Sequence, residues 1–331
     1  MFATKSKKVL FAFWAWVLLA LVVFFLFNFT FKITNSGETE EAIENAIESP
    51  INGLIMLIEF EKIEGILQWE KELDARNLNA LLKVQDNVLE DYPEVFKRLA
   101  AKGYEVAGGY DEAPFWGMSY DEQYNHLKKS KDLVEKISGK KMRVFGSRYF
   151  AYDETTLEAA SDLDIDYLLG RWVNDVEAVI YHPQEYSTKV ISVSNVDVGE
   201  MWRGSLCDYS LWARGSSAVD FNHMLHESLA KQPQNMIVVS HAYLGGTRLA
   251  WWNEYERVLD SQEVRWTSFD NWIENQAIVE LPNAEIPIND EVKYVAPSPE
   301  KPIEEYEAIP GIELLDDDCS SVEGSDEMMC Q

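Results

Sequence analysis

Between residues 51 and about 280, short apolar runs alternate with segments of helical spacing, and this alternation fixes the class of fold. Leu54-Ile55-Met56-Leu57-Ile58 is apolar at every position, as a strand covered on both faces must be. Residues 64–76 then put Ile66, Leu67 and Leu73 on one helical face. Leu81, Leu82 and Val84 mark the next strand. Tyr92-Pro93-Glu94 opens a helix with proline in its first turn, and Gly103 ends it. A strand is expected over 104–107. Ser119-Tyr120-Asp121-Glu122 supplies a cap and early acids for a helix that closes at Ser138-Gly139. Strands over 142–145 and 165–169 flank a helix capped by Asp153. After an irregular middle region come a helix over 219–230, a strand over 236–239, and helices over 248–259 and 269–277. These strand–helix units carry no GxGxxG and fill about 230 residues, which predicts one irregular (β/α) barrel of roughly seven strands.

Residues 9–31 form a run of 23 residues without a charge. About 20 apolar residues cross a bilayer core. Lys5, Lys7 and Lys8 precede the run and favour a cytoplasmic N-terminus, and Trp14 and Trp16 suit the interface. The apolar region of a cleavable signal is about 7–15 residues and ends at small residues. This run is longer and ends Phe27-Asn28-Phe29-Thr30-Phe31-Lys32. The expected organisation is a cytoplasmic stub (1–8), a transmembrane signal anchor (9–31), a linker (32–50), an extracytoplasmic barrel (51–280) and a C-terminal tail (281–331). Six of the eleven prolines fall in that tail, together with Leu314-Leu315-Asp316-Asp317-Asp318. Such a stretch buries too little to repay its ordering entropy, so an extended, acidic segment is expected.

The formal charge is −28, and after residue 32 the chain carries 25 basic and 57 acidic residues. Nucleic acid is excluded as a partner, because counterion release needs lysine and arginine. Cys207, Cys319 and Cys330 are the only cysteines, and none forms a CxxC pair. No disulfide framework or cysteine-type zinc site can be read from them. Cys319 and Cys330 could pair with each other or with another chain.

Four segments carry the chemistry. They are Phe60-Glu61-Lys62, Gly103-Tyr104-Glu105-Val106-Ala107-Gly108 with Gly109 and Ala113 beyond it, Gly146-Ser147-Arg148-Tyr149-Phe150, and Ile237-Val238-Val239-Ser240-His241. In order, spacing and flanking residues they resemble the polysaccharide deacetylase (NodB-type carbohydrate esterase) family. The resemblance implies a sugar ligand and a barrel that normally holds a divalent metal such as zinc. It makes Glu61 the counterpart of the family's general base and Lys62 the counterpart of a metal-ligating aspartate. Gly109 and Ala113 stand where the family has two histidines. The family's arginine falls at Gly146, with Arg148 two residues on, and its late histidine is His241. A protonated lysine, a glycine and an alanine cannot ligate a cation. The resemblance therefore implies no metal site and no cofactor, and leaves Glu61, His241 and Arg148 as catalytic candidates.

Sugar sites use aromatic faces and a few convergent polar groups. Trp116 follows the second motif and Trp172 follows a strand end beside Arg171. These three, with Tyr149, are the candidate ligand-binding residues. Trp251 and Trp252 suit helix packing equally well. His223 and His226 share a helical face near Asp220 and Glu227, an arrangement a polar helix surface also explains. His182 precedes Pro183 and reads as a loop residue.

The leading expectation is a membrane-anchored envelope protein that binds glycan, or acts as an interaction module, without metal-dependent deacetylation. One alternative is an active deacetylase or esterase with a rearranged site using Glu61 and His241. Another is a structural subunit of a cell-surface assembly, with an envelope protein as partner.

Overall fold

The computed structural model describes residues 50–59, 61–171, 176–197, 203–282 and 307–312. All lie in the unit that begins at Pro50. The expected membrane span, 9–31, falls outside the described residues. Among the described residues no helix is long and apolar enough to cross a membrane.

Seven parallel strands form the body of the sheet. They are β1 (Ile51–Glu59), β2 (Leu81–Gln85), β3 (Glu105–Tyr110), β4 (Val144–Ser147), β5 (Tyr167–Gly170), β7 (Lys189–Ser192) and β10 (Asn235–His241), ordered β10-β1-β2-β3-β4-β5-β7. Beyond β7 lie β6 (Val179–Pro183), antiparallel to it, and β12 (Ile278–Leu281), parallel to β6. The short strand β11 (Val264–Trp266) pairs with the start of β1, and β8 (Asn195–Asp197) pairs with β9 (Arg203–Ser205) apart from the main sheet. The expected count of roughly seven thus describes the parallel core. The antiparallel β6, the outer β12 and the separate β8–β9 pair add to it.

The sheet curls, and its two ends meet without a ladder between β12 and β10 among the described residues. Single hydrogen bonds span the seam. Ala178 N–H donates to the Asn235 carbonyl (2.9 Å), Ile237 N–H to Ser194 Oγ (3.0 Å) and Val239 N–H to the Leu206 carbonyl (3.1 Å). This irregular closure is what distinguishes the molecule from a regular barrel.

Side-chain alternation explains the apolar runs. Along β1, Leu54, Met56 and Ile58 enter the lumen with Ile237 and Val239 of β10, while Ile55 and Leu57 face the outer helices. The outer layer is built from α1 (Glu64–Ala75), α2 (Asp86–Asp91), α3 (Pro93–Ala101), α4 (Tyr120–Ser138), α5 (Glu154–Asp162), α6 (Asp208–Trp212), α7 (Ala218–Ala230), α8 (Ala242–Gly245) and α9 (Leu249–Leu259), whereas α10 (Phe269–Glu274) packs Phe269 and Trp272 into the lumen cluster. Ser119 and Asp153 cap α4 and α5 through capping boxes, and Gly139 ends α4 in the left-handed conformation. Trp69 of α1 meets Trp252 and Tyr255 of α9 edge-on, each at 5.1 Å. Trp251 and Trp252 are accordingly core residues.

The last helix is shorter than expected. It ends at Glu274, and Ile278–Leu281 turns back as β12. Within the stretch read as a tail, residues 307–312 dock on the barrel. Leu249 N–H donates to the Glu307 carbonyl and Ile309 N–H to the Thr247 carbonyl, both at 2.8 Å, and Ile309 is buried. The rest of 283–331 lies outside the described residues.

Candidate active site at the barrel mouth

Parallel strands that all run the same way deliver their C-terminal ends to one rim, where barrel folds place chemistry. Here β10 ends at His241 and β1 at Glu59, and Ile58 is the register partner of His241. Asp208 opens α6 beside them, because Cys207 pairs with Val239 of β10.

Asp208 is fully buried, and its carboxylate is well supplied with donors. Oδ1 accepts from the N–H of Tyr209 (2.6 Å) and of His241 (2.9 Å), and Oδ2 accepts from Ser240 Oγ (2.9 Å). His241 Nδ1 lies 3.3 Å from Oδ1. Tyr255 Oη accepts the Asp208 N–H and donates to the Val239 carbonyl. Burial disfavours the charged imidazole, but hydrogen bonds to Asp208 and Cys207, and the field of both, outweigh it. His241 is pushed up to about 9. It is therefore an imidazolium at neutral pH, with its ring 4.7 Å from Tyr209 and 6.2 Å, edge-on, from Tyr243. Burial drives the Tyr243 hydroxyl well above its ordinary range, helped by the charges of Asp208, Glu59 and Glu61.

Glu61 sits just past β1 and is half-buried. Its own N–H and that of Lys62 donate to the carboxylate of Glu59, at 3.0 and 3.3 Å. Glu61 and His241 thus leave neighbouring strands at the same rim, and both act on Tyr243. Lys62 is exposed.

The opposite part of the lumen is organised by Lys83 in the middle of β2. Lys83 shares the inner face with Leu81 and is 1 % exposed. Its ammonium pairs with Asp111, just beyond β3. Gly109 and Gly146 are register partners on β3 and β4. A Cβ on Gly109 would lie 3.3 Å from Lys83 Cγ and 2.9 Å from the Val84 carbonyl oxygen. A Cβ on Gly146 would lie 3.2 Å from both Cδ and Cε of Lys83. The two glycines form a groove in which the lysine stem lies.

Arg148 is drawn to the outside of this rim. Its Nη1 donates to the Glu112 carbonyl (3.1 Å), and its guanidinium lies over the Tyr149 ring at 5.1 Å. Tyr149 and Phe150 adopt φ of 59° and 54°, a left-handed pair of non-glycine residues. Arg171 follows β5. Its pKa is lowered to about 10, by burial first and by the nearby Arg214, against the opposing fields of Cys207 and Tyr149. Arg171 and Tyr149 thus belong to the neighbourhood of Cys207. Trp116 is half-buried in the loop after β3. Trp172 lies outside the described residues.

His182, His223 and His226 stay apart from the mouth. His223 pairs with Glu227 (3.2 Å) and His226 Nδ1 approaches the Asn222 carbonyl, both on the outer face of α7. His182 lies between Glu280 and the Tyr186 carbonyl and ties β6 to β12.

Among the described residues, one group could hold a metal by residue type: Cys207, Asp208 and His241, with ligating atoms within 4.8 Å of one another. Several of its atoms already take part in hydrogen bonds. Two amides and the imidazole use Asp208 Oδ1, and Ser210 N–H donates to Cys207 Sγ (3.2 Å). Sequence reasoning found His241 but missed Asp208, Cys207, Tyr209, Tyr243, Lys83 and Asp111. The available signal for Asp208 was a carboxylate opening a short apolar segment, Cys207-Asp208-Tyr209-Ser210-Leu211-Trp212.

Residues 69–168 match the family model described as polysaccharide deacetylase. The recognition of that family in the sequence is borne out. A search of curated proteins finds no match. Among solved structures, a putative polysaccharide deacetylase from Mycobacterium smegmatis is similar at 11 % identity and a TM-score of 0.55, over 73 % of this chain and 97 % of that one. A probable polysaccharide deacetylase from Pseudomonas aeruginosa PAO1 gives 14 % and 0.53, over 68 % and 90 %. BA3943 from Bacillus anthracis, described as a CE4 family pseudoenzyme, gives 11 % and 0.47, over 70 % and 71 %.

Proposed function

We propose that this polysaccharide-deacetylase-like barrel binds glycan at its mouth and does not carry out metal-dependent deacetylation, on a chain held at the cell envelope by residues 9–31. The observation that carries the reading is the end of β3. Gly109 and Ala113 stand where the family has its histidines, and the Lys83 stem lies across Gly109. Lys62, at the family's third ligand position, is a cation in solvent. These residues do not fit a divalent ion, so no step is routed through one.

What remains suits recognition. The His241 imidazolium, held by Asp208, can donate to a sugar oxygen or acyl carbonyl at the rim. The rings of Tyr209 and Tyr243 flank it and offer apolar faces to a pyranose. The test uses the full chain with acetylated and de-acetylated oligosaccharides. Calorimetry should find binding that Tyr209→Ala weakens about tenfold, with no acetate released. Acetate release that a chelator abolishes would sink the reading.

A second reading is favoured by the register Ile58–His241, which brings Glu61 to the same rim as an imidazolium. Glu61 would be the base and His241 the acid of a metal-free esterase. Hydrolysis of acetylated sugars lost on Glu61→Gln would support it, and silence across a broad panel would rule it out.

A further inference from the structure

We infer that the Lys83 ammonium is the resident cation of this mouth, supplied by the chain itself in place of a divalent ion. Three independent features converge on it. The lysine rises from the middle of β2, where its inner-face neighbour Leu81 is apolar and buried, so its charge lies deep. Its stem is accommodated by two glycines that are partners in the β3–β4 register, and a side chain at either would press on it. Its head meets Asp111, which is only 17 % exposed and lies between positions 109 and 113 on the loop after β3.

A carboxylate so placed needs a cation beside it, because an unpaired buried charge is strongly unfavourable. In a metal-holding barrel that cation would come from solvent. Here it is covalently tethered, and a Cβ at 109 would meet the Val84 carbonyl oxygen at 2.9 Å and Lys83 Cγ at 3.3 Å. Asp111 keeps its position at the rim without dependence on metal supply. The inference does not depend on which glycan binds, since its readouts are melting temperature and ion dependence rather than sugar affinity or acetate release.

The experiment truncates the lysine in the full chain, Lys83→Ala, and asks what restores stability. Melting is followed with zinc or manganese, with propylammonium, and with propanol as the neutral isostere. Either cation should raise the melting temperature of Lys83→Ala by roughly 3–5 °C at ten times its dissociation constant. Propanol should not, and the wild type should respond to none of them. The rise should vanish in Lys83→Ala/Asp111→Asn. If Lys83→Ala does not fold unaided, refolding yield under the same additives makes the same comparison. Equal effects of propanol and the cations, no effect of either cation, or a rise that survives loss of Asp111 would each overturn the inference.

Discussion

His241 shows how much one side chain owes to its neighbours. Its pKa is raised, so its contribution to stability is complete below about 6.5 and is lost as pH rises through about 9. The contribution is at most about 3 kcal/mol. A titration of the imidazole by NMR should have its midpoint near 9, and Asp208→Asn should lower it by removing the carboxylate charge while burial and the Cys207 contact remain. A midpoint that ignores the substitution would mean that Asp208 does not set it. His241 was legible because a strand run ended on it. Asp208 was not, because its partner lies 33 residues away and only the Cys207–Val239 bridge brings the two together. Lys83 was hidden for a different reason. A lysine inside an apolar strand reads as an edge or a tolerated exception, and only the register of two distant glycines shows where its stem can lie.

At the scale of elements, the helices were readable wherever a cap and a face agreed. Ser119 with Glu122 forms the expected box, with Ser119 N–H donating to the Glu122 carboxylate at 2.8 Å. Ser119→Ala should cost about 1 kcal/mol, measured by denaturant unfolding, with little change in slope. An unchanged midpoint would mean that the first turn of α4 is held by packing alone. Six parallel strands, β1 to β5 and β10, were readable because burial on both faces leaves a continuous apolar run. The strands β6, β7, β8, β9, β11 and β12 were not. They have three to five residues, and β12 exposes Ile278, Val279 and Glu280. Their pairing is decided by what the curled sheet presents to them, and local pattern carries little of that information.

The molecule as a whole is a curled sheet whose ends are joined by isolated hydrogen bonds, with the docked segment 307–312 lying along α8 and α9. Removing residues 307–331 should leave the barrel folded and lower its melting temperature by a few degrees, since two backbone hydrogen bonds and one buried isoleucine are lost. Collapse of the fold on that truncation would show that the segment is integral to the core.

The attachment of that segment has a consequence for its persistence. Two hydrogen bonds and Ile309 make a weak contact, one that a separate peptide at micromolar concentration would not sustain. It holds because 25 residues join it to β12, which keeps its local concentration on the order of millimolar. A single peptide-bond cleavage between 283 and 306 would change neither partner of that contact and yet let the segment diffuse away. Its occupancy is a property of the chain's continuity rather than of the surface it covers.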